Sequence, residues 1–220
     1  MSVALLAERE AVADYMRRLY DRGLTTASGG NISLRVDAKH FLITPSALDK
    51  GRLVADEIAV VTIDGKNLTP HLRLSIETEM HRLILLARED AQAVVHAHPT
   101  YASAFTAIKR NGKQAINTRL IAESYYLLEE PLFVDYRLMG SDSLAEQAAV
   151  KAFDADVLLL ENHGVLAIGS SLLIAFDKIE LLERACEMTV ITHLLQGEEY
   201  QVTSLSEERC KELMWMKYRN

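Results

Sequence analysis

Two histidines stand two residues apart in Val94-Val95-His96-Ala97-His98-Pro99. In an extended segment, residues i and i+2 project from one face, so the two imidazoles would point together. Paired imidazoles are a good start for a zinc site, where nitrogen sits at about 2.0–2.1 Å from the metal. Alone, the spacing is weak, because a surface or hydrogen-bonded pair has it too. A third histidine, His163, follows the apolar run Leu158-Leu159-Leu160 within Glu161-Asn162-His163-Gly164. Such a run reads as a buried strand, and open α/β sheets tend to carry binding groups at strand ends. The glycine after it permits a close backbone turn. Three histidines leave one position open on zinc, the arrangement of catalytic rather than structural sites. Glu77 is the candidate to fill that position or to stand beside it as a proton-transfer group. His81, one turn later on the same helix, reads as a packing residue, with support of the site as the alternative. His40, His71 and His193 show no clustering and read as solvated or structural.

These residues need elements to hold them. The spacing of Leu5, Val12, Tyr15, Met16 and Leu19 predicts a helix over 4–22, ended by Gly23. A glycine loop, Thr26-Ala27-Ser28-Gly29-Gly30-Asn31, precedes two β-rich runs, Ile32 to Val36 and His40 to Thr44. A further strand candidate, Ile58 to Ile63, ends at the turn signal Asp64-Gly65. Met80, Leu83, Ile84 and Ala87 share one face of a helix expected from Ile76 to Arg88. His96 and His98 fall on a strand from Ala93 that leads through Pro99 into a helix expected over Thr100 to Lys109. Later elements are a short strand at Leu132 to Val134, a helix at Leu144 to Phe153, and strands at Val157 to Leu160 and Val165 to Ile168. A long helix, Leu172 to Gln196, and a short one, Ser206 to Lys217, end the chain. Strands between flanking helices predict a layered α/β or α+β domain.

Composition narrows the partners. The 220 residues are 49% hydrophobic and 25% charged, which suits one globular core over residues 1–220 without repeats or linkers. A formal charge of −7 argues against nucleic acid, whose binders carry a basic face, but leaves room for a small phosphorylated ligand. Cys186 and Cys210 have no metal-ligand spacing and read as inert thiols of a reducing compartment. The first residues lack the apolar core of a signal peptide, and no apolar run approaches the ~20 residues of a membrane span. A cytoplasmic protein with no membrane partner is expected.

The residues together resemble the class II aldolase/adducin superfamily through most of the chain. The resemblance is carried by Ser28-Gly29-Gly30-Asn31-Ile32-Ser33, Ile43-Thr44-Pro45-Ser46, Ser75-Ile76-Glu77-Thr78-Glu79-Met80-His81, Val94-Val95-His96-Ala97-His98 and Glu161-Asn162-His163-Gly164, in order and at the family's spacing. It implies a central, mostly antiparallel sheet flanked by helices, assembled as a cyclic homotetramer with sites at subunit boundaries. It implies that His96, His98 and His163 hold zinc and that Glu77 contacts the metal and then acts as acid/base. Ser28, Gly30, Asn31, Ser46 and Ser75 fall where relatives hold a substrate phosphate, a role that neutral loop donors can fill. Tyr218 falls near a tyrosine that relatives lend to a neighbour's site; an ordinary hydrophobic terminus explains it equally.

The implied activity is reversible aldol cleavage of a phosphorylated ketose, of the fuculose-1-phosphate kind, to dihydroxyacetone phosphate and an aldehyde. This sequence departs from the family pattern at Ile76, where a second serine is common, and at Ala47, where glycine is usual. Thr118 and Met139 stand at the approximate positions of aromatic residues around the aldehyde. Decarboxylation or dehydration on the same metal site remain open. Epimerisation is disfavoured by glutamate where an aspartate commonly stands, and a non-enzymatic scaffold by the retained histidines and Glu77.

Overall fold

A computed structural model describes residues 5–110, 113–197 and 200–219. In chain order the elements are α1 (Leu6–Asp21), β1 (Asn31–Arg35), β2 (His40–Ile43), β3 (Ala59–Thr62), α2 (Thr78–Ala87), β4 (Ala93–Ala97), α3 (Thr100–Thr106), β5 (Lys109–Arg110), β6 (Lys113–Gln114), α4 (Ala122–Leu128), β7 (Leu132–Val134), α5 (Asp142–Lys151), β8 (Val157–Leu160), β9 (Gly164–Gly169), α6 (Leu172–Leu195) and α7 (Glu207–Tyr218). Seven strands form one sheet in the order β3-β2-β1-β4-β9-β8-β7, and β5 pairs with β6 apart from it. Every pairing is antiparallel except that of β7 with β8, which α5 connects as a crossover. The mostly antiparallel, helix-flanked sheet is the architecture expected.

The strands are apolar on both faces because both faces are covered. Ile32, Leu42, Val95, Ala97, Leu159 and Ala167 meet α1, α3 and α6 in one core. Their strand neighbours Phe41, Ile43, Val94, Leu158, Leu166 and Ile168 meet α2 and α5 in the other. Alternate residues thus feed opposite layers, as the strand period of two requires. Serines cap the later helices: Ser141 Oγ accepts from the Leu144 amide, Ser171 Oγ from Ile174 and Ser206 Oγ from Arg209. Each such cap stabilises its helix by about 1 kcal/mol.

Two expected helices are shorter than the pattern suggested. The helix expected from Ile76 begins at Thr78, leaving Glu77 as its first flanking residue. The helix expected to Lys109 stops at Thr106, and Lys109 enters β5. Among the described residues no helix is long and apolar enough to cross a membrane.

Candidate metal and catalytic site

The site lies on the middle strands of the sheet. His96 is the penultimate residue of β4, on the face shared with Val94, so it looks toward the α2 layer. It is fully buried. Its Nδ1 donates to the Val165 carbonyl at 2.9 Å, which leaves Nε2 as a bare lone pair directed into the site. His98 follows the strand end, and its Nε2 is 3.0 Å from His96 Nε2. His163 sits in the three-residue turn joining β8 to β9, where Asn162 takes a left-handed φ of 55°. Asparagine accepts that conformation more readily than most residues.

Room for the His98 ring is made by missing side chains. A Cβ on Gly29 would stand 2.7 Å from His98 Nδ1, and one on Gly164 2.3 Å from His98 Cδ2. The glycine loop and the glycine after His163 were visible in the sequence, yet the packing reason appears only in three dimensions.

Glu77 arrives from the opposite layer at the N-terminal end of α2, where the helix dipole favours a negative charge. The residue is 6% exposed. Its Oε2 is 3.3 Å from His96 Nε2, and its Oε1 is 3.1 Å from His163 Nε2. Oε1 and the buried His163 Nδ1 nevertheless make no aligned hydrogen bond among the described residues. Burial raises the Glu77 pKa, but His96, His163 and the Asn31 amide outweigh it and hold the carboxyl well below the usual carboxylate range. Burial likewise pushes His96 below its ordinary value, and burial with His96 and His163 alongside takes His98 down to about 3. Neutral imidazoles with free lone pairs beside a carboxylate are the donor set a divalent cation takes. The nitrogens of His96, His98 and His163 lie within 4.8 Å of one another. These residues therefore fit a metal.

The residues expected at the phosphate are brought together in part. Asn31 Nδ2 donates to Ser75 Oγ at 3.0 Å and to Glu77 Oε2 at 2.7 Å. The Ser46 amide donates to the Arg73 carbonyl at 2.9 Å, joining its loop to the segment before Glu77. Gly30 lies against the backbone of His96, and Ser28 is exposed on the same loop. Tyr218 does not join them within one chain: its hydroxyl donates to Glu129 Oε1 at 2.6 Å.

Two neighbours of the site add to the sequence reading: His81, for which support of the site was the lesser alternative, and Lys50, which was not singled out. His81 is fully buried and bonded on both ring nitrogens, to Ser33 Oγ and Asn31 Oδ1. Lys50 is 2% exposed; its ammonium donates to the Pro45 carbonyl, and its amide to the Ala27 carbonyl at 2.9 Å. It thereby ties together the two loops expected to meet a phosphate. Its only sequence signal is a lysine close behind Pro45-Ser46.

Comparison with known proteins places the chain among named relatives. A protein named L-fuculose phosphate aldolase from Methanocaldococcus jannaschii is 33% identical over 180 residues, covering 82% of this chain and 94% of that protein. One named 3-oxo-tetronate 4-phosphate decarboxylase from Haemophilus influenzae is 31% identical, covering 94% of this chain and 96% of its own. A solved structure of an L-fuculose 1-phosphate aldolase superposes with a TM-score of 0.85 at 25% identity, over all of this chain and 99% of that one. The sequence profile of the class II aldolase and adducin N-terminal domain matches residues 10–190. With its histidines and glutamate at the centre of that span, the chain belongs to the class II aldolase and adducin family.

Proposed function

We propose that the chain is a zinc-dependent lyase that reversibly cleaves a phosphorylated ketose into dihydroxyacetone phosphate and an aldehyde. The observation that carries this reading is the buried Glu77 carboxyl group set between His96 and His163, at 3.3 and 3.1 Å. His96, His98 and His163 would hold zinc, which would supply Lewis-acid polarisation of a ketose oxygen. Glu77 moves a proton at the carbon that becomes the nucleophile, and its low proton affinity keeps it in the basic form at neutral pH. The glycine loop, Ser28, Gly30, Ser46 and Ser75 hold the phosphate through backbone amides and hydroxyls, with Lys50 beneath them. Burial of His96 and Glu77 limits competing water.

The whole chain works as one domain of this type, in the cytoplasm, as a homotetramer with sites at subunit boundaries. Tyr218, 69% exposed at the end of α7, is the residue offered to a neighbour's site.

A second reading, decarboxylation of a phosphorylated oxo-acid, is favoured by the Haemophilus relative, whose similarity spans 94% of this chain. The same residues polarise a ketone in both reactions. Incubation with ketose phosphates and phosphorylated oxo-acids, following triose phosphate and carbon dioxide, separates the two. Glu77→Gln is expected to lower turnover about 10²- to 10⁴-fold with metal retained. Full activity in that variant would remove Glu77 from the chemistry. No carbon–carbon cleavage across the panel would end the lyase reading.

A further inference from the structure

A buried chain of hydrogen bonds runs from β1 through α2 to the acid/base carboxylate. Ser33 Oγ lies 2.7 Å from His81 Nδ1, and His81 Nε2 meets Asn31 Oδ1. Asn31 Nδ2 then reaches Glu77 Oε2 at 2.7 Å and Ser75 Oγ at 3.0 Å. Asn31 and Ser33 are two residues apart on β1 and share a face, so the His81 ring, one turn beyond Glu77, spans both. Ser33 and His81 are fully buried and Asn31 is 4% exposed, so water does not substitute for any link.

The direction of every bond follows from one end. An ionised carboxylate only accepts, so Asn31 must present its nitrogen to Glu77. Its carbonyl oxygen therefore faces His81, and His81 Nε2 must carry the proton. In the neutral ring Nδ1 is then bare and accepts from the Ser33 hydroxyl. A reversed Asn31 amide has nearly the same shape but sets two oxygens against each other at Glu77. Among the described residues, His81 is the group bonded to Asn31 Oδ1.

We propose that His81 is a positioning residue for Glu77: by donating to Asn31 Oδ1 it locks the amide with its nitrogen toward the carboxylate. The proposal rests on the acid/base role of Glu77. Both amide protons of Asn31 are engaged inside the protein, so Asn31 serves the substrate through the carboxylate it holds.

The test is a pair of variants that each keep half of the imidazole's bonding. Glutamine places its amide nitrogen near the position of His81 Nε2 and keeps the donor to Asn31. Asparagine reaches only as far as Nδ1 and keeps only the Ser33 side. Asparagine is smaller by one methylene, so the thermal midpoint is measured for both, and a packing role makes the loss of activity track the loss of stability.

His81→Asn is expected to lower kcat roughly 10- to 100-fold with little change in KM, while His81→Gln stays within about threefold of the parent. Equal losses that track the thermal midpoint would overturn the proposal. A readout independent of activity comes from ¹⁵N NMR of the metal-free protein. Asn31 side-chain amide protons should be slow to exchange in the parent and His81→Gln, and fast in His81→Asn. The parent His81 should be protonated at Nε2; an Nδ1–H tautomer would overturn the proposal without any variant. If the Asn31 signals follow the donor but the parent cleaves no ketose phosphate, the lyase reading fails and the positioning role stands.

Discussion

His96 Nδ1 donates to the Val165 carbonyl at 2.9 Å, across the ladder in which His96 itself pairs with Leu166. The sheet therefore fixes which nitrogen of this imidazole is free. The expected result is about one zinc per chain, lost in His96→Ala and in His163→Ala. A metal present at about 1,000 times its Kd adds about 4 kcal/mol to stability, so chelation should lower the thermal midpoint measurably. Elemental analysis and thermal unfolding check both points. Full metal content in either variant would contradict the three-histidine site.

Gly164→Ala probes the space beside His98. Its Cβ would stand 2.3 Å from His98 Cδ2 and 2.7 Å from the Ala97 carbonyl, and backbone yields less readily than a side-chain tip. Displacement of the ring should weaken metal binding about 10- to 100-fold, as loss of supporting contacts does. Overpacking should add a stability loss of about 1–3 kcal/mol. Metal titration and denaturant unfolding measure the two effects, and parental metal affinity would refute the first.

Ala47 has a φ of 62°, although it carries a Cβ. The left-handed conformation costs such a residue about 1–2 kcal/mol. Glycine removes that strain but loses about 0.5–1 kcal/mol through greater freedom in the unfolded chain. Ala47→Gly should therefore stabilise by about 0.5–1 kcal/mol, read as a higher denaturant midpoint at unchanged slope. A lower midpoint would show that the strain is relieved by contacts of the methyl group.

Burial pushes the Lys50 ammonium from its ordinary 10.5 down to about 8, against the pull of Glu77. Between those values the unfolded chain binds more protons than the folded one, so stability rises with pH across this window. The difference between charge states corresponds to about 3 kcal/mol. Lys50→Met should be the more stable protein at pH 7, and its advantage should shrink by about that amount by pH 10.5. Parallel stability curves for the two proteins would refute the assignment.

The histidines were legible because two-residue spacing on a strand survives folding unchanged. His96 and His98 stand together as their spacing suggested, although His98 lies one residue beyond the end of β4. Glu77 was reached mainly through resemblance, since nothing local marks a carboxylate whose partners lie on β4 and in the β8–β9 turn. The layered sheet followed from strand runs lying between helical patterns. Less was legible where long-range contacts decide. His81 has the spacing of a packing residue, and its bonds to Ser33 and Asn31 cross 48 and 50 residues of sequence. Helix α4 spans seven residues, too few for a periodic signal, and ends at Glu129 with a φ of 53°. The two-residue strands β5 and β6 carry no pattern at all.

Asn31 and His96 are direct partners in the antiparallel ladder of β1 and β4. A slip of β1 by one residue would turn Asn31 and Ser33 toward α1 and α6 and offer Ile32 to Glu77. The pairing frame of two central strands is thus also the alignment of the catalytic apparatus. Insertions in the peripheral turns, such as Asp64-Gly65 after β3, leave that frame intact. A single residue added to or deleted from β1 or β4 dismantles the site even where the sheet reforms. The lengths of β1 and β4 therefore constrain this site as strictly as the identities of its side chains.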